Sequence, residues 1–316
     1  MDLRISLQKL EVLDQVVRRE GVGRAAEALF VAQPVVTAHI RTLEQRLGAK
    51  LFYREGRQIH LTEAGRAVHI WAEDVLTRTR ELDRYLSGLA DGQQGKIAFG
   101  ASMSVGSYLL PHTLTRFRAA HPKAEVTLSI SDSEHMIEDT RLGLLDFAFV
   151  VSAPDLELPG MLVERIATDE IVLVARPDSD LPHQITIEEL KILPFVDAPD
   201  GIVRRTFIDR RLRELGVVDR NVVLEMGHPE AMKAAVLDGA GVSLLFRSAS
   251  RRELDVEQLR RIDIEGVEME LPIYLIHRRG KSFSPLQMRI IEDIRHDLVP
   301  PEENVEEEQK GSTSAA

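Results

Sequence analysis

The chain has 316 residues, 44% of them apolar, a formal charge of −11 and no cysteine. This length predicts about two domains, and the missing cysteine excludes disulfides, thiolate metal sites and thiol catalysis. No apolar run approaches the ~18 residues that a bilayer span needs, and the N-terminus enters a helical pattern directly. The sequence therefore favours a cytoplasmic protein with no membrane partner.

Three short helices and a hairpin are predicted for the first 61 residues. Leu7, Leu10 and Leu13 mark the first helix, and two glycines separate it from a second helix over Arg24–Phe30. A third helix begins at Gln33 and ends at Gly48, and two short strands follow at 51–54 and 58–61. This order of elements predicts a winged helix-turn-helix domain.

The third helix has one apolar face, because Val36, Ile40, Leu43 and Leu47 recur at helical spacing. Small and polar side chains then face a partner, as base reading in a major groove requires. Residues 1–65 hold ten basic and eight acidic side chains, so the remainder carries −13. This asymmetry confines phosphate attraction to the N-terminal end. The exposed set is Gln33, Val35, Thr37, Ala38, His39, Arg41 and Thr42.

Thr62 is the predicted N-cap of a long helix that reaches residue 90. Its apolar residues form a narrow seam between charged flanks, interrupted where Arg78 takes a seam position. Such a seam favours an intermolecular helix pair, and packing on the helix's own domain is the alternative. Residues 91–95 read as a hinge. The seam consists of Val68, Trp71, Val75, Leu82, Tyr85 and Leu89.

From Lys96 onward strands alternate with helices, which predicts α/β units with parallel strands. Helices are expected around 109–119 and 135–142. The expected strands are 97–101, 125–130, 147–151, 170–175, 194–197, 221–226, 242–246 and 271–277. One lobe is expected over about 96–170 with 271–299, and a second over 171–270. Small ligands of such folds bind at the carboxyl ends of strands, between the lobes. Residues 300–316 contain five acids and no aromatic side chain, which predicts a disordered acidic tail.

The N-terminal residues, in order and at these spacings, resemble those of LysR-type transcriptional regulators. The resemblance is dense over about 65 residues and looser, though collinear, to about residue 298. It implies a periplasmic-binding-protein-like effector domain, a small-molecule co-inducer but no cofactor, and a homotetramer built as a dimer of dimers in bacteria. Operator DNA and RNA polymerase are the implied partners. The matching residues are Arg24–Leu29, Val31–Pro34, Thr37, Ile40, Arg41, Leu43, Glu44, Leu47, Gly48, Leu51, Phe52, Arg54, Leu61, Thr62, Ala64 and Gly65.

Carried over residue by residue, the resemblance assigns DNA contact to three places. They are the third helix, which is the recognition helix, the two-stranded hairpin, which is the wing, and Thr62 at the N-cap of the long helix. The chain departs from the family pattern at Ala32, where a capping serine is common, and at Ala38, where a basic residue is common. For Arg54, a purely structural role in the hairpin is the alternative. The expected DNA-binding residues are Gln33, Pro34, Thr37, Ala38, His39, Arg41, Arg54 and Thr62.

The resemblance also assigns effector contact to residues near predicted strand ends. Val151 stands where several aromatic-acid responders have arginine, and Gly201 stands where a hydroxyl is common. The cleft is therefore expected to be rich in serine and poor in cations, which suits a small, neutral or weakly anionic effector. Each serine has helix capping as its alternative role. The expected set is Ser102, Ser104, Ser133, Val151, Gly201, Ile202 and His228.

Two other classes compete with a regulator. No motif of a hydrolase, nucleotide-binding or zinc enzyme occurs, and Ser6-Leu7-Gln8-Lys9 matches a β-lactamase motif without its partner motifs. None of the ten histidines has convincing metal-ligand spacing, so neither catalytic nor metal residues are expected. A solute-binding protein would explain the lobes but not the N-terminal domain.

Overall fold

The computed structural model describes residues 5–56, 58–87 and 94–298. The chain divides into two compact units, one built mainly on residues up to 87 and the other on residues 94–298. We call them the head and the C-terminal domain. Within the described ranges, no helix has the length and apolarity to cross a bilayer.

The head is a winged helix-turn-helix, as the sequence predicts. Its elements are α1 (Leu7–Arg18), α2 (Val22–Ala28), α3 (Gln33–Leu47), β1 (Phe52–Glu55), β2 (Gln58–Leu61) and α4 (Glu63–Ser87). The apolar core joins α1, α2, α3 and the middle of α4, with Leu13, Val36 and Leu43 fully buried. Gly48 ends α3 in the left-handed conformation that glycine adopts without steric cost.

Glu44 fastens the recognition helix to the wing. Its carboxylate accepts a hydrogen bond from the Leu51 backbone N–H at 3.0 Å and one from Lys50 Nζ at 2.7 Å. Burial disfavours the charge of Glu44, but these hydrogen bonds outweigh burial and hold its pKa below the usual value. The carboxylate therefore fixes the turn between α3 and β1.

Helix α4 begins as the sequence predicts. The Thr62 hydroxyl accepts a hydrogen bond from the Gly65 backbone N–H at 2.9 Å, which is the N-cap interaction. The same hydroxyl donates to the Lys50 carbonyl at 2.6 Å. Gly65 lies so close to the strand entry that a Cβ there would stand 2.0 Å from the Leu51 carbonyl oxygen. The first turn of α4 is therefore docked directly on the backbone before β1.

The seam predicted on α4 is only partly free. Val68 and Val75 pack against the core of the head, so the premise that the whole stripe lacks a partner within the head is wrong. The head partly buries these valines because α1 and α4 pack side by side. Tyr85 is half-buried and Leu89 lies outside the described residues. The exposed apolar residues of α4 are Ile70, Trp71, Leu82 and Leu86.

The C-terminal domain has two α/β halves that share one sheet. Its first half contains β3 (Gln94–Ser102), α5 (Leu110–Ala120), β4 (Lys123–Ser131), α6 (Ser133–Arg141) and β5 (Ala148–Val151), and the chain returns to it through β12 (Glu270–Arg278) and α11 (Pro285–Leu298). The second half contains β7 (Gln184–Ile185), α7 (Ile187–Ile192), β8 (Pro194–Asp197), α8 (Val203–Glu214), β9 (Asn221–Glu225), α9 (Pro229–Leu237), β10 (Ser243–Phe246), α10 (Arg247–Asp255) and β11 (Arg260–Ile264).

A single long strand, β6 (Met161–Ala175), runs through both halves. Its first part pairs with β12, and its last part pairs with β10 and β11. The main sheet has the order β4-β3-β5-β12-β6-β11-β7, while β8 and β9 form a separate parallel pair. The two halves are therefore joined by continuous backbone hydrogen bonding as well as by the chain.

Two details differ from the sequence-based expectations. Gln94 and Gly95 belong to β3, because they pair with Lys123 and Ala124, and so they are not hinge residues. The other hinge residues, 91–93, and the tail, 300–316, lie outside the described residues. A π-helix (Val105–Leu109), where only an α-helix was expected nearby, follows β3.

Candidate functional site

The exposed side of α3 forms a shallow polar surface on the head. It begins at the helix N-terminus, where Pro34 is preorganised for the first turn and Ala32 provides no side-chain cap. Arg41 is the only cation among the residues that line this surface. The lining residues are Gln33, Pro34, Thr37, Ala38, Arg41, Thr42 and Gln45.

Two threonines of this surface are already hydrogen-bonded within the helix. Thr37 Oγ1 donates to the Gln33 carbonyl at 3.1 Å, and Thr42 Oγ1 donates to the Ala38 carbonyl at 2.8 Å. Each threonine therefore offers a partner its methyl group and an acceptor oxygen. His39 does not line the surface and is half-buried, because it lies on another side of the helix.

The wing and cap residues have different surroundings. Arg54 is exposed on β1, where its backbone pairs with Ile59 across the hairpin. Thr62 is half-buried, and its hydroxyl is engaged with Lys50 and Gly65. The Arg54 side chain is thus accessible to a partner, whereas the Thr62 hydroxyl is engaged in two hydrogen bonds within the head.

A cavity of about 440 Å³ lies between the two halves of the C-terminal domain. Six of the seven residues expected to contact an effector line it: Ser102, Ser104, Ser133, Val151, Gly201 and Ile202. The seventh, His228, is exposed and caps α9, where its Nδ1 accepts a hydrogen bond from the Glu230 backbone N–H. The remaining lining residues, which the sequence analysis missed, are Met103, Asp132, Glu134, Ala198, Val203, Arg204, Gly227, Pro229, Met232 and Phe246.

Two serines hold the backbone at the end of β5. Ser102 Oγ accepts a hydrogen bond from the Val151 backbone N–H at 3.2 Å, and Ser133 Oγ donates to the Val151 carbonyl at 2.7 Å. Ser102 thus keeps its hydroxyl hydrogen for another acceptor, and Ser133 keeps an acceptor oxygen. Neither serine makes the capping hydrogen bond considered as its alternative, since Asp132 caps α6 through the His135 backbone N–H.

The charge around the cavity is mixed. Asp132 lies at the N-terminus of α6, and the backbone N–H of His135 holds the pKa of Asp132 below its usual value. Arg204 also lines the cavity and is buried, so the cleft that was expected to be poor in cations contains one. Burial lowers the pKa of Arg204 to about 10 despite the neighbouring Asp197, and its guanidinium donates to the Leu244 carbonyl. The cation is therefore engaged by the protein itself.

Asp197, at the end of β8, is fully buried below the loop that lines the cavity. Its carboxylate lies 2.5 Å from Arg220 Nη1, 3.5 Å from Arg205 Nη1 and 3.7 Å from Arg204 Nη1. Arg205 and Arg220 share a second carboxylate, Asp209. We call these five residues the arginine cluster. It fixes the start of α8 and so shapes one wall of the cavity.

A polar bridge connects the two halves beside the cavity. The Tyr108 hydroxyl, on the π-helix, donates to Glu230 of α9 at 2.8 Å. Lys233 lies 2.8 Å from Glu230 and 2.7 Å from Glu253, and its ammonium stands 5.5 Å from the centre of the Tyr108 ring. Burial and the bond to Glu230 raise the pKa of Tyr108 well above its usual value, so the phenol remains a donor.

Three potential metal ligands meet in the head, Asp14, His69 and Glu73. The Arg18 guanidinium stands among them, 2.8 Å from Asp14 and 3.5 Å from Glu73. Burial opposes the Asp14 charge, but hydrogen bonds from His69 and Arg18 prevail and lower its pKa. A guanidinium in this position supplies the positive charge, so the cluster reads as an ion-pair network that ties α1 to α4.

Comparisons with known proteins identify this architecture. A family model described as the LysR substrate binding domain matches residues 90–298, and one described as the bacterial regulatory helix-turn-helix protein of the lysR family matches residues 7–66. A protein of Cyanidioschyzon merolae named probable RuBisCO transcriptional regulator is 31% identical over 280 residues, which are 87% of this chain and 92% of that protein. The RuBisCO operon transcriptional regulator of Allochromatium vinosum is 29% identical, over 90% of this chain and 93% of its own length.

Solved structures show the same fold. Full-length OxyR of Pseudomonas aeruginosa superimposes with a TM-score of 0.67 at 19% identity, covering 93% of this chain and 98% of its own. CbnR, a LysR family transcriptional regulator, gives a TM-score of 0.62 at 22% identity, covering 93% of this chain and 100% of its own.

A DNA-binding head and a two-lobed effector-binding domain define a class of ligand-responsive transcriptional regulators. Within this class, the chain belongs to the LysR family.

Proposed function

We propose that this regulator reads operator DNA with the N-terminal part of α3 and responds to a small metabolite in the cavity between the halves of its C-terminal domain. The exposed polar surface of α3 carries the first part of the proposal. Its side chains match the groups that contact base edges and thymine methyls, and Arg54 on the wing suits phosphate contact. A DNA-bound regulator of this kind would act in the cytoplasm.

Gln33→Ala is the direct test of base reading. We expect it to weaken binding to a selected operator by about 1–3 kcal/mol and to leave non-specific DNA binding nearly unchanged. Gln8→Ala, an exposed glutamine on α1, is the matched control and should change neither affinity. Gel-shift titrations at several salt concentrations give both affinities, and equal losses on the two DNAs would contradict the assignment.

The composition of the cavity favours a small effector that is neutral or weakly anionic. Seven of the lining residues, Met103, Val151, Ala198, Ile202, Val203, Met232 and Phe246, are apolar. Asp132 and Glu134 stand on one wall and would repel a strong anion, while Arg204 is engaged by Asp197 and Leu244. The free hydroxyl hydrogen of Ser102 supplies a hydrogen bond to an acceptor on the ligand.

Ser102→Ala should weaken effector binding by about 1–2 kcal/mol, the scale of one hydrogen bond to a polar ligand. A metabolite panel with neutral compounds, monocarboxylates and phosphate dianions, screened by thermal shift and followed by calorimetry, provides the ligand. Ser284→Ala is the control, because Ser284 is also buried in this domain and also accepts a backbone N–H, from Gln287, but does not line the cavity. Equal affinities in wild type and Ser102→Ala, or binding of dianions alone, would refute this site assignment.

We further propose that α4 pairs two copies of the chain through its exposed apolar residues, and that C-terminal domains join dimers into a tetramer. Leu82 and Leu86 are 56% and 55% exposed and lie one turn apart. Replacing both with Glu should shift the sedimenting species from tetramer to a dimer held through the C-terminal domains, with folded domains. Leu7→Glu, an exposed leucine on α1, should leave the mass unchanged. An unaltered oligomer in the double variant would remove α4 from the interface.

Relatives named as RuBisCO operon regulators suggest the first promoters to test. A DNA fragment upstream of such an operon in the source genome, compared with fragments selected from the whole genome, would establish whether this chain shares that target. RNA polymerase would be the downstream partner at such a promoter.

A further inference from the structure

The turn between α2 and α3 contains a strained residue. Phe30 has a φ of 54°, in the left-handed region that costs a side-chain-bearing residue about 1–2 kcal/mol. Its N–H donates to the Glu27 carbonyl at 3.2 Å, and the next N–H, of Val31, donates to the Ala26 carbonyl at 3.0 Å. This pair of hydrogen bonds is the Schellman motif, in which glycine or asparagine usually occupies the left-handed position.

Within the described residues, packing of the Phe30 side chain does not offset this strain. The Phe30 side chain is 96% exposed, the highest value among the exposed large hydrophobic residues of the described chain. Val31, the next residue, and Val35, in the first turn of α3, are 41% and 42% exposed, so three exposed apolar side chains occur within six residues of this turn. A phenylalanine that is both strained and solvated is unfavourable for the isolated fold, and strain of this kind is typical of binding sites.

The position of Phe30 indicates its partner. It lies three residues before Gln33, at the end of α3 that we propose to enter the major groove, and Val35 continues the apolar surface onto that helix. DNA presents apolar groups at this place, namely the thymine methyl within the groove and the deoxyribose at its border. Phenyl rings are among the groups that contact thymine methyls.

We propose that the Phe30 ring packs against an apolar edge of the operator, a thymine methyl or a deoxyribose, beside the bases that α3 reads. The inference rests on the proposed DNA-reading role of α3 and adds a contact that precedes the helix. Phe30 then contributes to the affinity or specificity of DNA binding, and this contact explains why a residue with a strained backbone occupies the turn.

Phe30→Gly and Phe30→Asn separate the two effects of the residue. Both replacements suit the left-handed conformation, so the head should melt at an equal or higher temperature. Both should nevertheless raise the Kd for a selected operator about fivefold or more. Glu20→Gly is the matched control, because Glu20 has a φ of 51° and the same hydrogen-bond pattern at the end of α1. It should also preserve stability but should not weaken DNA binding.

The probe is an operator duplex selected from random DNA with the full-length protein, and an unrelated duplex of equal length. Replacing each thymine with deoxyuridine removes one methyl group at a time. A deoxyuridine that weakens wild type but not Phe30→Gly supports the thymine contact. If Phe30→Gly binds the operator and the unrelated duplex more weakly than wild type by the same factor, and no deoxyuridine changes wild-type affinity, the result supports the deoxyribose contact.

Two outcomes overturn the inference. One is wild-type DNA affinity in stable Phe30→Gly and Phe30→Asn proteins, which would assign the ring to a protein partner or to no partner. The other is unfolding of the head in both variants, which would show that Phe30 serves the fold. Gln33→Ala in parallel distinguishes the two proposals: if it retains operator affinity, the role of α3 is wrong, and if it alone loses affinity, only the role of Phe30 is wrong.

Discussion

Asp197→Asn is expected to destabilise the C-terminal domain by about 3–5 kcal/mol, the cost of removing one partner from a buried ion pair. The substitution keeps the volume of the side chain but leaves Arg204 and Arg220 with less negative charge in a buried site. Their side chains are only 8% and 3% exposed, so solvent cannot replace the lost carboxylate. Because the arginine cluster holds the start of α8, effector binding should weaken as well.

Asp200→Asn is the matched control for this change. Asp200 approaches Arg205 at 3.6 Å, but its side chain is 88% exposed, and exposed pairs contribute little. Urea unfolding followed by circular dichroism and hydrogen exchange in α8 would measure both variants. Similar small losses in the two proteins would show that burial of the cluster does not determine its contribution.

Gly65→Ala is expected to destabilise the head by about 1–3 kcal/mol, the range for overpacking in a close-packed site. The new methyl group would stand 2.0 Å from a backbone oxygen, that of Leu51, and backbone cannot move aside as a flexible side chain can. The first turn of α4 would have to leave β1, and the cap from Thr62 would be lost with it. DNA binding should fall because the wing is no longer fixed.

Gly23→Ala is the control, and it should change the stability of the head in the opposite direction. Gly23 lies in α2 with open space around its ideal Cβ position, so alanine should stabilise the helix by about 0.5–1 kcal/mol. The fluorescence of Trp71, the single tryptophan of the chain, reports on the head during unfolding. Stabilisation by both alanines would mean that α4 is not packed against Leu51.

Much of the head could be predicted from the sequence because its signals are local. The start of α3 at Gln33, its end at Gly48 and the Thr62 cap all depend on neighbours within a few residues. The close approach of Gly65 to Leu51 could not be predicted, since it joins positions 14 residues apart. The same limit explains the error on Val68 and Val75, because hydrophobic spacing does not specify which partner covers a helix face.

In the C-terminal domain, the sequence predicts the ends of the short strands well. It does not predict the full length of β6, the strand that runs through both halves. Short buried strands such as β8 match the sequence pattern, and serines at strand ends did meet in one cavity. The first part of β6 was missed because its residues are mostly polar or half-buried, unlike the buried run that ends it. Arg204 was not expected in the cavity because its burial depends on Asp197, a residue of another element.

The shared sheet also sets an order of events during synthesis. β12 lies between β5 and β6, yet the ribosome makes it after the whole second half of the domain. At about 5–20 residues per second, β5 waits roughly 6–25 s for that partner. During this interval Ala148–Val151, buried at all four positions in the finished protein, has one unpaired edge. Until β12 is made, this edge has no partner strand, and unpaired strand edges are where a chain can pair with another molecule.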